Sequence, residues 1–339
     1  MALNRLYLEN FTVFKKLDLD FSKGINVLIG DNGTGKTHIM KLLYSACQAA
    51  RAQETSISFP QKIVGVFKPD NMALHRLVKR RAGNANAVIN VSSAECVLSL
   101  SFYSKYKKNI NVTGERSWEK QLKNLISTFI PAKEILSHSR NLIQAIEKGN
   151  VDFDDTYKDI ISAASVDVSR GPGSEKEKRY LKILQSITSG TVTVANEKFY
   201  LKPGNQSKLE FPLVAEGVRK IALLWQLIKN GTLERGTVLF WDEPEANINP
   251  SNISTIAKIL LALQSDGVQI FVATHDYFLP KYIEVYKNKS NDVMFHSLYF
   301  DESKNVQCES QPEFDLLQNN KIIAESIRLY KEEVKKVLE

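Results

Sequence analysis

Short apolar runs alternate along the chain with segments whose apolar residues recur every three to four positions, as strands followed by amphipathic helices would. Residues 3–9 and 17–21 alternate or cluster apolar side chains and predict two strands; Ile25-Asn26-Val27-Leu28-Ile29 predicts a third, buried one. Helical spacing holds over 36–52. The character changes over 53–130: residues 88–91 and 96–103 predict strands, and 118–129 predicts a helix closed by Ile130-Pro131. Helical spacing returns over 132–164, with Asp152, Asp154 and Asp155 at a helix start. Residues 169–174 form a loop by composition, 175–188 a helix, and 191–194 with 199–201 a hairpin turning at Asn196-Glu197. A helix over 216–230 ends near Gly231, a buried strand covers 237–241, a helix 250–264 and a strand 268–273. The tail, 315–338, predicts a charged amphipathic helix. No internal repeat is present, and no heptad pattern persists far enough for a coiled coil.

This order predicts an α/β fold in 339 residues, enough for one large domain or two ordinary ones. Hydrophobic residues at 43% and charged residues at 24% predict a soluble globular protein. The net charge, 45 − 38 = +7, permits contact with nucleic acid without requiring it. Cys47, Cys96 and Cys308 are scattered, without zinc spacing or a disulfide framework. No apolar stretch approaches the ~20 residues of a membrane helix, and the N-terminus lacks the basic-then-apolar form of a signal peptide. The expected setting is cytoplasmic, with no membrane partner.

Gly30-Asp31-Asn32-Gly33-Thr34-Gly35-Lys36-Thr37, followed by His38, fits GxxxxGK[ST] between a predicted strand and a predicted helix. Gly30, Gly33 and Gly35 let main-chain N–H groups turn toward a triphosphate, and the helix N-terminus adds partial positive charge. Lys36 would reach the β- and γ-phosphates and Thr37 would hold Mg²⁺. The strand at 237–241 runs into Asp242-Glu243-Pro244, placing Asp242 to hold Mg²⁺ and Glu243 to activate water. The strand at 268–273 ends in Thr274-His275, whose imidazole can bond a γ-phosphate. His75, Arg76, Lys79, Arg80 and Arg81 cluster at helical spacing; Lys105, Lys107 and Lys108 interleave with Tyr103 and Tyr106. Both clusters read either as a surface for DNA or a partner or as a solvated face.

The four stretches GDNGTGKT (30–37), VAEGVRKIALL (214–224), VLFWDEPEANINP (238–250) and VATHD (272–276) resemble, in order and spacing, the ABC-type ATPase heads of the SMC, RecF and OLD-like group, and more closely the compact AAA15/AAA21 ATPases. FIPAKEILS (129–137) and EKFYL (197–201) match loosely. The resemblance implies an ABC-type head with a core at 1–52 and 211–300, an inserted α+β lobe at 53–210, a C-terminal hairpin and helix at 301–339, and no long coiled coil. It implies ATP and Mg²⁺ as ligands, and a signature segment at Ala215, Glu216, Gly217 and Arg219 that binds the γ-phosphate held by a second copy. Gly217 matches the family glycine and Arg219 a basic residue linking signature to core; Ala215 stands where a serine hydroxyl is usual. Glu245 to Asn249 resembles the loop that crosses the dimer interface, with Asn249 where relatives have Asp or His. The glutamine of the family's glutamine loop has no counterpart near Lys133 or Glu134, and Phe14 falls near the base-binding region or in the core. Two ATP molecules would be sandwiched between head-to-tail copies, in a homodimer or higher oligomer. The implied role is an ATPase that regulates or scaffolds a separate nuclease or Toprim-like effector in prokaryotic antiviral defence. The alternative is a RecF- or SMC-like ATPase acting directly on DNA.

Overall fold

The computed structural model describes residues 2–51, 57–94, 96–105, 109–139, 142–148, 150–167, 174–195 and 198–338. In chain order the strands are β1 (Leu3–Phe11), β2 (Phe14–Asp20), β3 (Ile25–Gly30), β4 (Asn86–Ser93), β5 (Cys96–Tyr103), β6 (Ile110–Thr113), β7 (Ser127–Ile130), β8 (Thr191–Ala195), β9 (Lys198–Lys202), β10 (Leu209–Glu210), β11 (Val238–Asp242), β12 (Gln269–Ala273), β13 (Val293–Phe300) and β14 (Val306–Gln311). The helices are α1 (Lys36–Ala49), α2 (Phe59–Phe67), α3 (Glu115–Leu122), α4 (Leu142–Glu147), α5 (Asp155–Ser165), α6 (Glu175–Thr188), α7 (Glu216–Lys229), α8 (Pro250–Ser265), α9 (Phe278–Tyr286) and α10 (Lys321–Leu338).

A six-stranded sheet in the order β14-β13-β3-β12-β11-β7 forms the centre, parallel except for the β13–β14 pair. Its inner strands β3, β11 and β12 are almost wholly buried, as expected of a parallel sheet covered on both faces. A five-stranded antiparallel sheet, β2-β1-β4-β5-β6, lies over one face. Helix α1 sits between the two sheets: Ile39, Met40, Leu42 and Leu43 share one core with Leu6, Leu8, Ile89 and Leu100 of the antiparallel sheet and Leu28, Phe240 and Phe271 of the central sheet. Helices α7 and α8 cover the opposite face in a second core with Val27, Leu239 and Ile270. The fold is an ABC-type head with flanking helices and no long coiled coil among the described residues.

Several expectations change. The helix expected over 118–129 is split into α3 and the edge strand β7, because residues 127–130 pair in parallel with β11 and stack Phe129 on Phe240. Among the described residues, the helical stretch expected over 132–164 is one 3₁₀ turn, α4 and α5; the Asp154 carboxylate caps α5 by accepting from the Thr156 N–H, and Glu134 is buried against Arg219 instead of lying on a helix face. The basic residues 75–81 do not share a helix face: after one turn at Leu74–Leu77, Val78 bridges to Phe11 and the Lys79 N–H donates to the Asn10 carbonyl, which holds the segment extended. The tail helix begins at Lys321, because Asn320 Oδ1 accepts from the N–H groups of Ile322 and Ile323. The C-terminal hairpin is β13–β14 and so begins before residue 301, with β13 inside the central sheet. Strands β4 and β7 belong to the 53–210 segment yet pair with β1 and β11 respectively. The loop at 169–173, the turn at Asn196-Glu197, and Tyr106, Lys107 and Lys108 lie outside the described residues.

Candidate active site

Three neighbouring parallel strands, in the order β3-β12-β11, end on one edge of the central sheet. Their C-terminal ends carry the glycine-rich loop, His275 and Asp242-Glu243 respectively, so residues over 200 positions apart meet at the crevice where open α/β sheets bind ligands. Val13, Asn32, Gly33, Gly35, Lys36, Thr37, His38, Asp242 and His275 line one cleft of about 300 Å³.

The loop holds its shape by packing and by its own hydrogen bonds. Gly35 has φ +91°, and a Cβ there would lie 2.5 Å from the Phe14 ring and 2.8 Å from Val13, so the β1–β2 hairpin floors the loop. Gly30, at φ +138°, would place a Cβ 2.0 Å from the Leu298 carbonyl of β13. Buried Thr34 donates through Oγ1 to the Asp31 carbonyl at 2.8 Å, and the Asp31 carboxylate pairs with Lys321 at the start of α10, outside the cleft lining. Phe14 is fully buried, so the structure resolves its two readings in favour of the core, while Val13 beside it faces the cleft.

Lys36 bends back along the loop, its Nζ donating to the carbonyls of Gly30 at 2.7 Å and Asp31 at 3.0 Å. Burial pulls its ammonium down to about 8 despite the attraction of Asp242 and Glu243. Thr37 Oγ1 donates to Asp242 Oδ2 at 2.9 Å. Burial pushes the Asp242 carboxyl up to about 6, against the Thr37 hydrogen bond. The shifts of Lys36 and Asp242 have one cause, two opposite charges withdrawn from water. His38 contacts Thr12 Oγ1 at 3.1 Å and the Phe67 ring, and burial lowers it to about 4, so it is neutral at pH 7.

Glu243 sits in the left-handed region at φ +46°, unusual for a non-glycine residue and common where function holds a strained backbone. Its N–H donates to the Ala273 carbonyl at 2.9 Å, and its half-exposed carboxylate stands 3.9 Å from His275 Nε2. Burial lowers His275 as well, followed by the nearby Lys36 charge. Glu245 braces the two strand ends: its Oε1 accepts from Thr274 Oγ1 at 2.6 Å and from the His275 N–H at 3.2 Å. This bracing role, like those of Val13 and Thr12, went unread in the sequence. The resemblance had given Glu245 only as the start of the loop that crosses the dimer interface.

Ala215, Glu216, Gly217 and Arg219 do not line the cleft of their own chain. Ala215 occupies the N-cap of α7 without a side-chain cap. A Cβ on Gly217 would lie 2.2 Å from the Asn247 carbonyl, so α7 packs directly on the loop that follows the acidic pair. Arg219 pairs with buried Glu134 at 2.6 Å and donates to the carbonyls of Phe211 and Val214, tying the start of α7 to the 131–139 segment. Asn249 caps α8, its side chain accepting from the Ser251 N–H. Separately, His75, Arg76, Lys79, Arg80, Arg81 and Lys105 line a groove of about 400 Å³; Lys79 Nζ donates to the Val13 carbonyl, joining the groove to the hairpin that floors the cleft.

The fold and the family models place the chain with the ABC-type ATPase heads of the SMC and RecF group. A family model described as "AAA domain, putative AbiEii toxin, Type IV TA system" matches residues 98–279, and a second, "AAA ATPase domain", matches 1–162. The chain belongs to the first of these families, AAA_21, with its N-terminal half matching AAA_15. The DNA replication and repair protein RecF of Exiguobacterium sp. is 32% identical over 108 residues, 32% of this chain and 25% of that protein. RecF of Oenococcus oeni is 52% identical over 44 residues, 13% of this chain and 12% of that protein. The chain thus covers well under two thirds of these relatives' own length. A solved SMC head bound to the C-terminal winged-helix domain of ScpA superposes with a TM-score of 0.56 at 14% identity, covering 92% of this chain and 98% of that one. An SMC head with an extended coiled coil, from Pyrococcus furiosus, gives 0.55 at 11% identity, covering 98% and 99%. At these identities the likeness is one of fold. No helix among the described residues is long and apolar enough to cross a membrane.

Proposed function

We propose that the chain binds ATP in the cleft between Lys36 and His275 and hydrolyses it, with two copies closing head to tail so that α7 of one covers the γ-phosphate held by the other. The observation that carries this reading is the meeting of loop 30–37, Asp242-Glu243 and His275 at three adjacent strand ends, with Thr37 already bonded to Asp242. The N–H groups of Gly33 to Thr37 and the α1 N-terminus bind phosphate oxygens. Lys36 exchanges two neutral carbonyls for phosphate, which restores its full charge. Thr37 and Asp242 are the residues that would hold Mg²⁺; one hydroxyl and one carboxylate fit a magnesium site whose remaining ligands are phosphate and water. When bound, the ion offsets phosphate charge, and it relieves the cost of burying ionised Asp242. Glu243 accepts a proton from the attacking water, and neutral His275 donates a hydrogen bond to the γ-phosphate. Ala215 offers no hydroxyl there, so closure around ATP is weaker and turnover slower than a serine would allow.

The biological role we propose is cytoplasmic regulation of a separate nuclease or Toprim-like effector in antiviral defence; the toxin–antitoxin wording of the matched family supports it. A second reading, direct action on DNA, is favoured by the basic groove at 75–81 and 105 and by the local RecF matches. Phosphate-release assays test the common core: Lys36→Ala loses nucleotide binding, and Glu243→Gln binds ATP without turning it over. Unchanged turnover in Glu243→Gln removes Glu243 as the base. Adding duplex DNA separates the roles, since turnover stimulated by DNA and abolished by charge reversal at Arg80 and Arg81 selects the second.

A further inference from the structure

Lys220, one turn into α7, is 1% exposed and forms no ion pair among the described residues, although Glu216, Glu245, Glu243 and Asp242 all act on its charge. Its Nζ instead donates to the main-chain carbonyl of Glu243 at 3.2 Å. A buried ammonium is costly, and a backbone carbonyl is a weak partner beside a carboxylate. Asp242, Glu243 and Glu245 sit at the end of β11 and in the loop that follows, and Lys220 bonds the backbone of that loop.

That carbonyl belongs to the one residue of the acidic pair with a left-handed backbone, φ +46°. Such a conformation costs a non-glycine residue on the order of 1–3 kcal/mol and persists only when its surroundings over-determine it. On one side of the residue, the Glu243 N–H is held by the Ala273 carbonyl of β12. On the other side, Lys220 holds its carbonyl. Two residues of α7 therefore grip the same loop, Lys220 at Glu243 and Gly217 against Asn247 and Ile248.

We propose that Lys220 is a positioning residue: it locks the Glu243 peptide in its left-handed turn, aims the carboxylate toward the water site beside His275, and ties the base of each chain to that chain's own α7. The inference rests on the ATPase reading above. In that reading α7 serves the nucleotide of the other copy, so a shift of α7 on meeting that phosphate reaches Glu243 through one hydrogen bond within the chain.

The test compares wild type, Lys220→Met and Lys220→Arg with ATP and Mg²⁺, measuring kcat, KM, nucleotide Kd and the urea midpoint. Lys220→Met is expected to lower kcat by about tenfold or more. KM and Kd stay within about twofold, because Lys36 and the loop are untouched. The urea midpoint is expected to stay level or rise, because an apolar chain replaces a buried charge. Lys220→Arg, which keeps the donor, restores most of the lost kcat. Wild-type kcat in Lys220→Met overturns the inference. So does a fall in kcat that tracks a fall in stability and is not rescued by arginine, since that is a structural role. Failure of the underlying reading looks different: the wild type itself then neither binds nor hydrolyses ATP.

Discussion

Replacing Gly217 with alanine sets two effects of opposite sign against each other. In an isolated helix, alanine is better than glycine by up to about 1 kcal/mol. Gly217 lies in the first turn of α7 outside the left-handed region, so backbone strain does not oppose the change. Packing does. The new Cβ would meet the Asn247 carbonyl oxygen at 2.2 Å, its carbon at 3.0 Å and the Ile248 Cα at 3.1 Å. Ordinary carbon contacts sit near 3.5–4.0 Å, so one backbone must retreat by about 1 Å. Neither obstacle is a flexible side-chain end, and Asn247 is itself left-handed at φ +64°, leaving the loop little room to rearrange. Overpacking of this kind costs about 1–3 kcal/mol, and a backbone obstacle belongs at the upper end. The expected net loss is about 2 kcal/mol, read as a urea midpoint lowered by about 0.5 M or more. ATP turnover should fall as well, because the displaced loop begins at Glu243. A Gly217→Ala protein as stable as wild type, or more so, would refute the reasoning. It would mean that helix propensity wins and that the glycine only leaves space for a ligand.

Three further outcomes follow from the same geometry. Ala215→Ser supplies the side-chain cap that α7 lacks and should raise stability by about 1 kcal/mol, and it should also tighten ATP-driven association in sedimentation experiments. His296 is buried between Ser310 Oγ and Asn26 Oδ1, and burial lowers it to about 3. A folded-state value below the unfolded one means that stability is fully present above about pH 6.5 and is lost as pH falls toward 3. Between pH 6.5 and 5 this group alone should remove about 2 kcal/mol, and His296→Asn should flatten that part of a pH series of urea titrations whatever its own baseline stability. Chelating Mg²⁺ should leave folding unchanged while ending turnover, since Thr37 and Asp242 already bond each other directly.

Local chemistry made the glycine-rich loop, the Asp242-Glu243 pair and His275 legible in the sequence. Each follows a short apolar strand, and each signal fits within about ten residues. The signature segment came from the resemblance alone, through Gly217, and the structure places it at the start of α7, away from the cleft of its own chain. Strand β7 was hidden because Leu122, Leu125, Ile126 and Phe129 repeat at helical spacing, and only pairing with β11, more than a hundred residues later, decides for a strand. The basic run at 75–81 misled in the same way, its extended form being imposed by β1. Bonds from Lys220 to Glu243 and from Glu245 to Thr274 join residues far apart in the chain, and no periodicity announces them.

The claim that the cleft is half of a site shared by two copies is tested most directly by sedimentation velocity on Glu243→Gln with saturating ATP and Mg²⁺. The account predicts a rise from the 38.3 kDa monomer to twice that mass, with one ATP retained per chain, and no such rise when Lys36→Ala is added. A Glu243→Gln protein that binds ATP and stays monomeric would contradict it.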